Sequence, residues 1–240
     1  MRTITVYCAL LGLVLSVGGT AIGGTWSDNF DSYATGAQLH GVGGWKGWDN
    51  LLSAGALTSA AAAQSGPNSV DINGASDLVQ QFNITGGHVQ FKAMQYVPGN
   101  MSGTTYFLLL NEYADGGPYD WSVQLSFDSA SNLVTSDFGG SATAPIVRDK
   151  WVPLLFDIDM DANTVSEYYN SALLSTHVWD DTNHNTLQAL DLFANGATPV
   201  FYDDVSLTTV DENVIPEPAT MALLAAAAAG VGGYIRRRRS

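Results

Sequence analysis

From Trp121 to Phe127 the chain reads Trp-Ser-Val-Gln-Leu-Ser-Phe, apolar at every second position, and a repeat of two narrows the fold more than any other feature. Only an extended strand puts alternate side chains on one face, so Trp121, Val123, Leu125 and Phe127 are expected on the buried side of a half-buried strand. His88 to Val97 alternates less strictly, with Val89, Phe91 and Ala93 opposite His88, Gln90 and Lys92. Tyr106 to Leu110 is apolar throughout, as a central strand covered on both faces would be. Further strands are expected over residues 69–72, 77–82, 151–158, 165–169, 173–179, 187–193 and 200–209.

Gly, Asn, Asp and Ser punctuate the intervals, notably at 83–87, 98–103, 115–118 and 161–164. Many short strands separated by turn chemistry predict an all-β sandwich or barrel. Sustained helical periodicity is absent outside the two ends, residues 53–65 read as a short helix or a loop, and no internal repeat is visible.

The ends are of a different kind. Pro216-Glu217-Pro218 favours an extended backbone, because proline removes an amide donor and restricts the residue before it. Ala219 to Ile235 is uncharged and rich in Ala; as a helix it would reach ~25 Å at ~1.5 Å per residue, the lower limit for a bilayer core of ~30 Å. Arg236, Arg237, Arg238 and Arg239 follow and act as a cytoplasmic stop signal. At the other end, Met1 and Arg2 precede an apolar stretch from Ile4 to Val17 and then Gly18, Gly19, Ala21, Gly23 and Gly24, the order of a secretory signal peptide. The expected organisation is a signal peptide over 1–24, a β-sandwich over 25–210, a linker with the Pro-Glu-Pro box over 211–218, a transmembrane helix over 219–235 and a basic cytoplasmic tail over 236–240. The single cysteine, Cys8, falls in the signal segment, so disulfides and thiolate chemistry are excluded from the mature domain.

The C-terminal order of Pro-Glu-Pro box, apolar segment and basic cluster closely resembles the PEP-CTERM sorting signal. That resemblance implies export, in line with a Sec-type signal peptide and the secretion translocon. It also implies recognition at Pro216, Glu217 and Pro218 by an exosortase-type membrane protease, with transient membrane anchoring followed by release to the cell surface or extracellular matrix, as in biofilm polysaccharide systems.

Arg2 and the four terminal arginines leave Lys46, Lys92, Arg148 and Lys150 as the only bases of the central domain, while of 23 acidic residues only Glu217 lies in the tail, a balance of about −18. Such a surface repels phosphates and anionic lipids, so nucleic-acid partners are excluded.

Asp28-Asn29-Phe30-Asp31, Gly44-Trp45-Lys46-Gly47-Trp48 and Phe201-Tyr202-Asp203-Asp204-Val205-Ser206-Leu207 resemble the flanks of concanavalin-like or laminin-G-like jelly rolls, and Trp151 to Asp159 with Val165 to Asn170 resembles their middle hairpin. The resemblance implies a jelly-roll sandwich, an architecture that hosts lectins, glycanases, lyases and matrix modules. Asp157, Asp159 and Asp161, spaced by two, would share a face opposite Phe156 and Ile158. With Glu167 they are the catalytic candidates, although glycanases of this fold carry Glu in that strand and this chain has none there. Counting by two from Phe201 puts Asp203 beside Val205 and Leu207 on the apolar face, where an unpaired carboxylate is costly. Compensation is expected either from a structural Ca²⁺ held by Asp203 or Asp204 with Asp28, Asn29 or Asp31, or from backbone amides or a nearby Tyr. Most of Trp45, Trp48, Tyr106, Tyr113, Tyr119 and Trp179 are expected in the core, with Trp151 and Tyr168 as the glycan-facing candidates. The sequence thus points to an exported, non-catalytic sandwich that binds matrix polysaccharide. A polysaccharide hydrolase or lyase and a purely structural component are the alternatives. Exposed aromatics in a row would mark binding, and two close carboxylates in a cleft would mark hydrolysis.

Overall fold

The computed structural model describes residues 25–182 and 184–210; the segments assigned to the signal peptide, the Pro-Glu-Pro linker, the membrane helix and the arginine cluster lie outside them. Among the described residues no helix is long and apolar enough to cross a membrane. Fifteen strands follow one another: β1 (Trp26–Asp28), β2 (Trp45–Gly47), β3 (Leu57–Ser59), β4 (Ser69–Ile72), β5 (Asp77–Ile84), β6 (His88–Tyr96), β7 (Thr104–Tyr113), β8 (Tyr119–Asp128), β9 (Leu133–Ser136), β10 (Ala142–Pro145), β11 (Trp151–Asp159), β12 (Thr164–Tyr169), β13 (Ala172–Val178), β14 (Leu187–Phe193) and β15 (Val200–Thr209). They form two antiparallel sheets packed as a jelly-roll-like sandwich. The eight-stranded sheet runs β13-β12-β11-β6-β15-β4-β3, with β1 also on β15, and the seven-stranded sheet runs β10-β9-β8-β7-β14-β5-β2.

Every run read as a strand from the sequence is one, and β4, β14 and β15 agree end to end. Residues 53–65 hold a 3₁₀ turn, Leu52–Ala54, then β3 and a bend, so the alanines from 60 to 63 form no helix. Their loop packs instead over the end of β15, where its amides meet Asp203.

The core lies between the sheets, and alternation fills it. Val89, Phe91 and Ala93 of β6, Val152, Leu154, Phe156 and Ile158 of β11, and Val123, Leu125 and Phe127 of β8 are all buried there. Phe107 of β7 is its centre, stacked on Phe156 at 4.8 Å, edge-on to Phe91 at 6.0 Å and 5.9 Å from Tyr202. A second cluster sits on the other side of the seven-stranded sheet, built from Val79, Leu108, Leu110, Tyr113 and Ala189. This is why Tyr106 to Leu110 is apolar at every position: both faces of β7 are covered.

Two bulges change which way side chains point. Val123 pairs with Leu109 and Trp121 with Leu110, so β8 has one extra residue there and Trp121 turns away from the Val123, Leu125 and Phe127 face. In β15 the register shifts between Asp203 and Ser206, around Asp204 at φ 47°. The count by two from Phe201 therefore breaks. Asp203 stays on the side of Phe201, paired with Met94, while Val205 and Leu207 enter the core.

Candidate functional site

The outer face of the seven-stranded sheet carries the most developed surface of the molecule. Its floor is the second apolar cluster, and Trp48, Tyr106, Tyr119, Trp121 and Phe193 lie on it half-buried. Trp48 is central, with its ring 4.9 Å from Tyr113, 4.7 Å from Tyr119 and 6.2 Å from Trp121, the two indoles parallel within 9°. Tyr106 and Phe193, opposite each other on β7 and β14, stack at 5.8 Å.

Local sequence sets this arrangement. Gly47 lets the chain fold back on itself, since a Cβ there would lie 2.1 Å from the carbonyl oxygen of Leu51. Asp49 and Asn50 follow in the left-handed region at φ 53° and 58°, a conformation Asp and Asn tolerate best among side-chain-bearing residues. Asp49 then ties the turn down: its carboxylate accepts from the Tyr119 hydroxyl and from the Gly116 amide at 2.9 Å, and its amide donates to the Tyr113 hydroxyl at 3.0 Å. The Tyr119 bond, followed by the Gly116 bond, holds the Asp49 carboxyl below its ordinary range, and the same Tyr119 bond, then burial, raises Tyr119. Tyr113 donates in turn to Asp115, which Lys46 approaches at 2.5 Å while lying over the Tyr113 ring. The aromatic platform is thereby braced at one end.

Between the rings lies a cavity of about 220 Å³ lined by Trp48, Asp77, Leu108, Trp121, Gln124, Asp191 and Phe193. Asp77 opens β5 and Asp191 sits in β14, where Phe193 faces Asp77 and Asp191 faces Val79 across the ladder. Each carboxyl lies close enough to the other to shift its titration. Asp191 is 3% exposed, and Oδ1 of each residue has no protein partner. Burial first, then the charge of Asp77, pushes Asp191 far above the usual carboxylate range. Burial also raises Asp77, partly opposed by Asp191. Two adjacent carboxylates cannot both ionise in such a place. The pair keeps one proton between them.

The residues singled out from the sequence lie elsewhere. Asp157 projects from the outer face of the eight-stranded sheet beside His88, at 3.0 Å, and Gln90, at 3.1 Å. Asp159 accepts from the Ala162 amide and Asp161 from the Gly87 amide, so both brace turns. Glu167 points the other way, fully buried between the sheets against His177 at 3.2 Å. Burial alone would lower His177, but the bond and charge of Glu167, with the Val178 carbonyl, outweigh it and raise the imidazole above its ordinary value. No carboxylate pair therefore forms from Asp157, Asp159 and Glu167. Trp151 shares the Asp157 face and packs on Tyr96 at 5.6 Å, and Tyr168, opposite Leu155, lines a depression on that same face with Lys92, Met94, Pro153 and Leu155.

Of the five residues named for calcium, Asp203, Asp204 and Asp31 meet the loop at 64–68. Asp203, fully buried, accepts from the amides of Gln64, Ser65 and Asp204 at 2.8, 3.1 and 2.7 Å. Asp204 accepts from Ser65, and Asp31 accepts from Asn68 and Asn29. Asp28 binds the Phe30 amide, the Tyr33 hydroxyl and the Trp45 indole; burial, then Asp28, lift Tyr33 to about 12. Asp28, Asn29 and Asp204 do border one depression of about 590 Å³, yet among the described residues no group of three or more acidic, His or Cys side chains is arranged to hold a metal ion. The compensation that Asp203 needs comes from amides. A melt with and without EDTA tests the calcium expectation: a fall of the midpoint on chelation would support a bound ion, and an unchanged midpoint would leave the amides as the compensation.

The comparisons with known proteins bear on the two parts of the chain separately. Residues 214–239 match the PEP-CTERM protein-sorting motif. The chain carries that signal. It implies export, with processing by exosortase, a membrane protein, on the way to the cell surface. No curated protein matches the chain. Among solved structures, the catalytic domain of a glycoside hydrolase family 131 protein from Coprinopsis cinerea aligns with a TM-score of 0.51 at 14% identity, covering 79% of this chain and 98% of that one. A carbohydrate-binding module from Bacillus subtilis gives 0.44 at 14% identity, over 69% and 96%. A sialidase gives 0.49 at 6% identity over 73% of this chain, which spans only 18% of the sialidase. The likeness to the hydrolase domain is one of fold, a β-sandwich like the one described above.

Proposed function

We propose that the domain is an exported polysaccharide-binding module that holds its ligand in the aromatic groove on the outer face of the seven-stranded sheet. The observation that supports this most strongly is the platform of Trp48, Trp121, Tyr119, Tyr106 and Phe193, all partly open to solvent and braced from below. Sugar rings present apolar C–H faces that stack on such surfaces, and braced rings lose little freedom when they bind. The sorting signal adds that the module works outside the cytoplasm, where polysaccharide is met. Similarity of fold to a glycoside hydrolase domain is compatible with a carbohydrate ligand.

The carboxyl pair raises a second reading, hydrolysis. Retaining hydrolysis needs carboxyl groups ~5 Å apart and inverting hydrolysis ~6.5–9.5 Å, whereas Asp77 and Asp191 lie close enough to shift each other's titration. We read the groove as binding without cleavage.

Retention on immobilised polysaccharides tests the proposal. Trp121→Ala is expected to weaken binding about 30-fold, the size of a buried aromatic anchor at ~2 kcal/mol, with no release of reducing sugar by any form. Trp151→Ala, on the opposite sheet, is expected to leave retention unchanged. The reverse pattern would move the ligand to the face of Asp157.

A further inference from the structure

Resting on the reading of the groove as a polysaccharide site, we propose that its preferred ligand is an amino-sugar polymer with free, protonated amines, one ammonium seating between Asp77 and Asp191 against the Trp48 and Trp121 rings. The carboxyl pair is the starting point. Acidic side chains inside an apolar cluster are costly unless compensated, and here the Oδ1 atoms of both remain without partners while Asp191 is almost wholly buried. Elsewhere in the fold Asp203 is answered by three amides, and Glu167 by His177 at Oε1 although its Oε2 has no partner. Asp77 and Asp191 have only each other and line a cavity. Both acids line the cavity, so a donor entering it meets the pair.

Charge selects the kind of donor. None of the residues lining the cavity is basic. Lys46, on the neighbouring β2, is held by Asp115 from the β7–β8 loop; Asp49, in the turn after β2, adds negative charge, and β8 contributes the neutral Gln124. A neutral hydroxyl can donate to the pair but cannot offset a second ionised carboxyl. An ammonium can, and the faces of indole rings attract cations as well. The exchange balances: the carboxyl O–H bond breaks and its proton passes to water or buffer, the ammonium takes its place with its own three protons, and no other covalent bond changes. An acidic domain near neutral pH also disfavours anionic polysaccharides in the same groove.

Calorimetry on the full chain can decide this with glucosamine oligomers, N-acetylglucosamine oligomers and cello-oligosaccharides of equal length, at pH 6.5 in two buffers of different ionisation enthalpy. The expected result is at least about tenfold tighter binding of the free-amine oligomer, with proton release upon binding. Asp191→Asn should bring its affinity down to that of the acetylated oligomer, and Asp157→Asn, on the opposite sheet, should change nothing. Equal binding of all three ligands, still sensitive to Trp121→Ala, would overturn the amine preference and leave the groove reading intact. An amine preference that survives Asp191→Asn would overturn the proposal by assigning the preference to the overall acidity of the surface. Binding of none of the three would remove both readings.

Discussion

Replacing Phe107 by alanine is expected to cost about 3–5 kcal/mol of folding stability, the range for emptying a fully buried aromatic site. The ring is 0% exposed and touches Phe91, Phe156 and Tyr202, so both sheets lose contact at one point. Its neighbours cannot close the gap, because Phe156 and Phe91 are held in ladder register by β11 and β6. For a domain of this size each 1 kcal/mol moves the midpoint roughly 2–4 °C; a fall of at least about 6 °C in a thermal melt is therefore anticipated. Phe193→Ala, on the half-open outer face, should cost much less. If the two variants melted together, the centre of the core would lie elsewhere.

Asp191→Asn is expected to act in the opposite direction. The folded state keeps a proton on the Asp77 and Asp191 pair that the unfolded chain gives up near an ordinary pKa of ~3.9. Between that value and the higher folded one, the native state binds more protons than the unfolded state, so wild-type stability falls as pH rises through the window. Asparagine carries no titrating proton and can donate its amide to Asp77. Urea midpoints measured from pH 4 to pH 8 should converge at the acid end and separate towards pH 8, with the variant the more stable by about 1–3 kcal/mol, the cost of a poorly satisfied buried polar group. Parallel curves would show that the pair does not hold its proton. A gain in stability joined to a loss of ligand affinity is what a binding site built against the interests of folding gives.

Much of the fold could be read from alternation, and particular residues show where that reading stops. The Leu125 and Phe127 face, the doubly covered Phe107 and Leu108, and the ends of β14 all follow from a repeat of two. Strands such as Trp26–Asp28, Trp45–Gly47 and Ala142–Pro145 are three or four residues long, too few to show a period, and two of them contain Gly or Pro. The site was harder because it depends on bulges. Trp121 looks like a core residue until an extra residue in β8 turns it outward, and Asp203 looks like a core anion until β15 shifts register. Trp48 depends on a left-handed turn that no periodicity encodes. Asp191 alone left a usable sign: an acid between Leu190 and Leu192, in step with Ala189 and Phe193, raises the same demand for compensation that Asp203 raised. Its partner, Asp77, is distant in sequence, and only the pairing of β14 with β5 brings the two together.

The last strand, β15, also bears on how the molecule withstands a pull. It lies inside the eight-stranded sheet, bonded along Phe201–Thr209 to β6 and on its other side to β4 and β1, and the chain continues from it towards the sorting motif at 214–239. A pull applied through the sorting motif would reach the domain through a strand bonded on both sides rather than through one at a sheet edge.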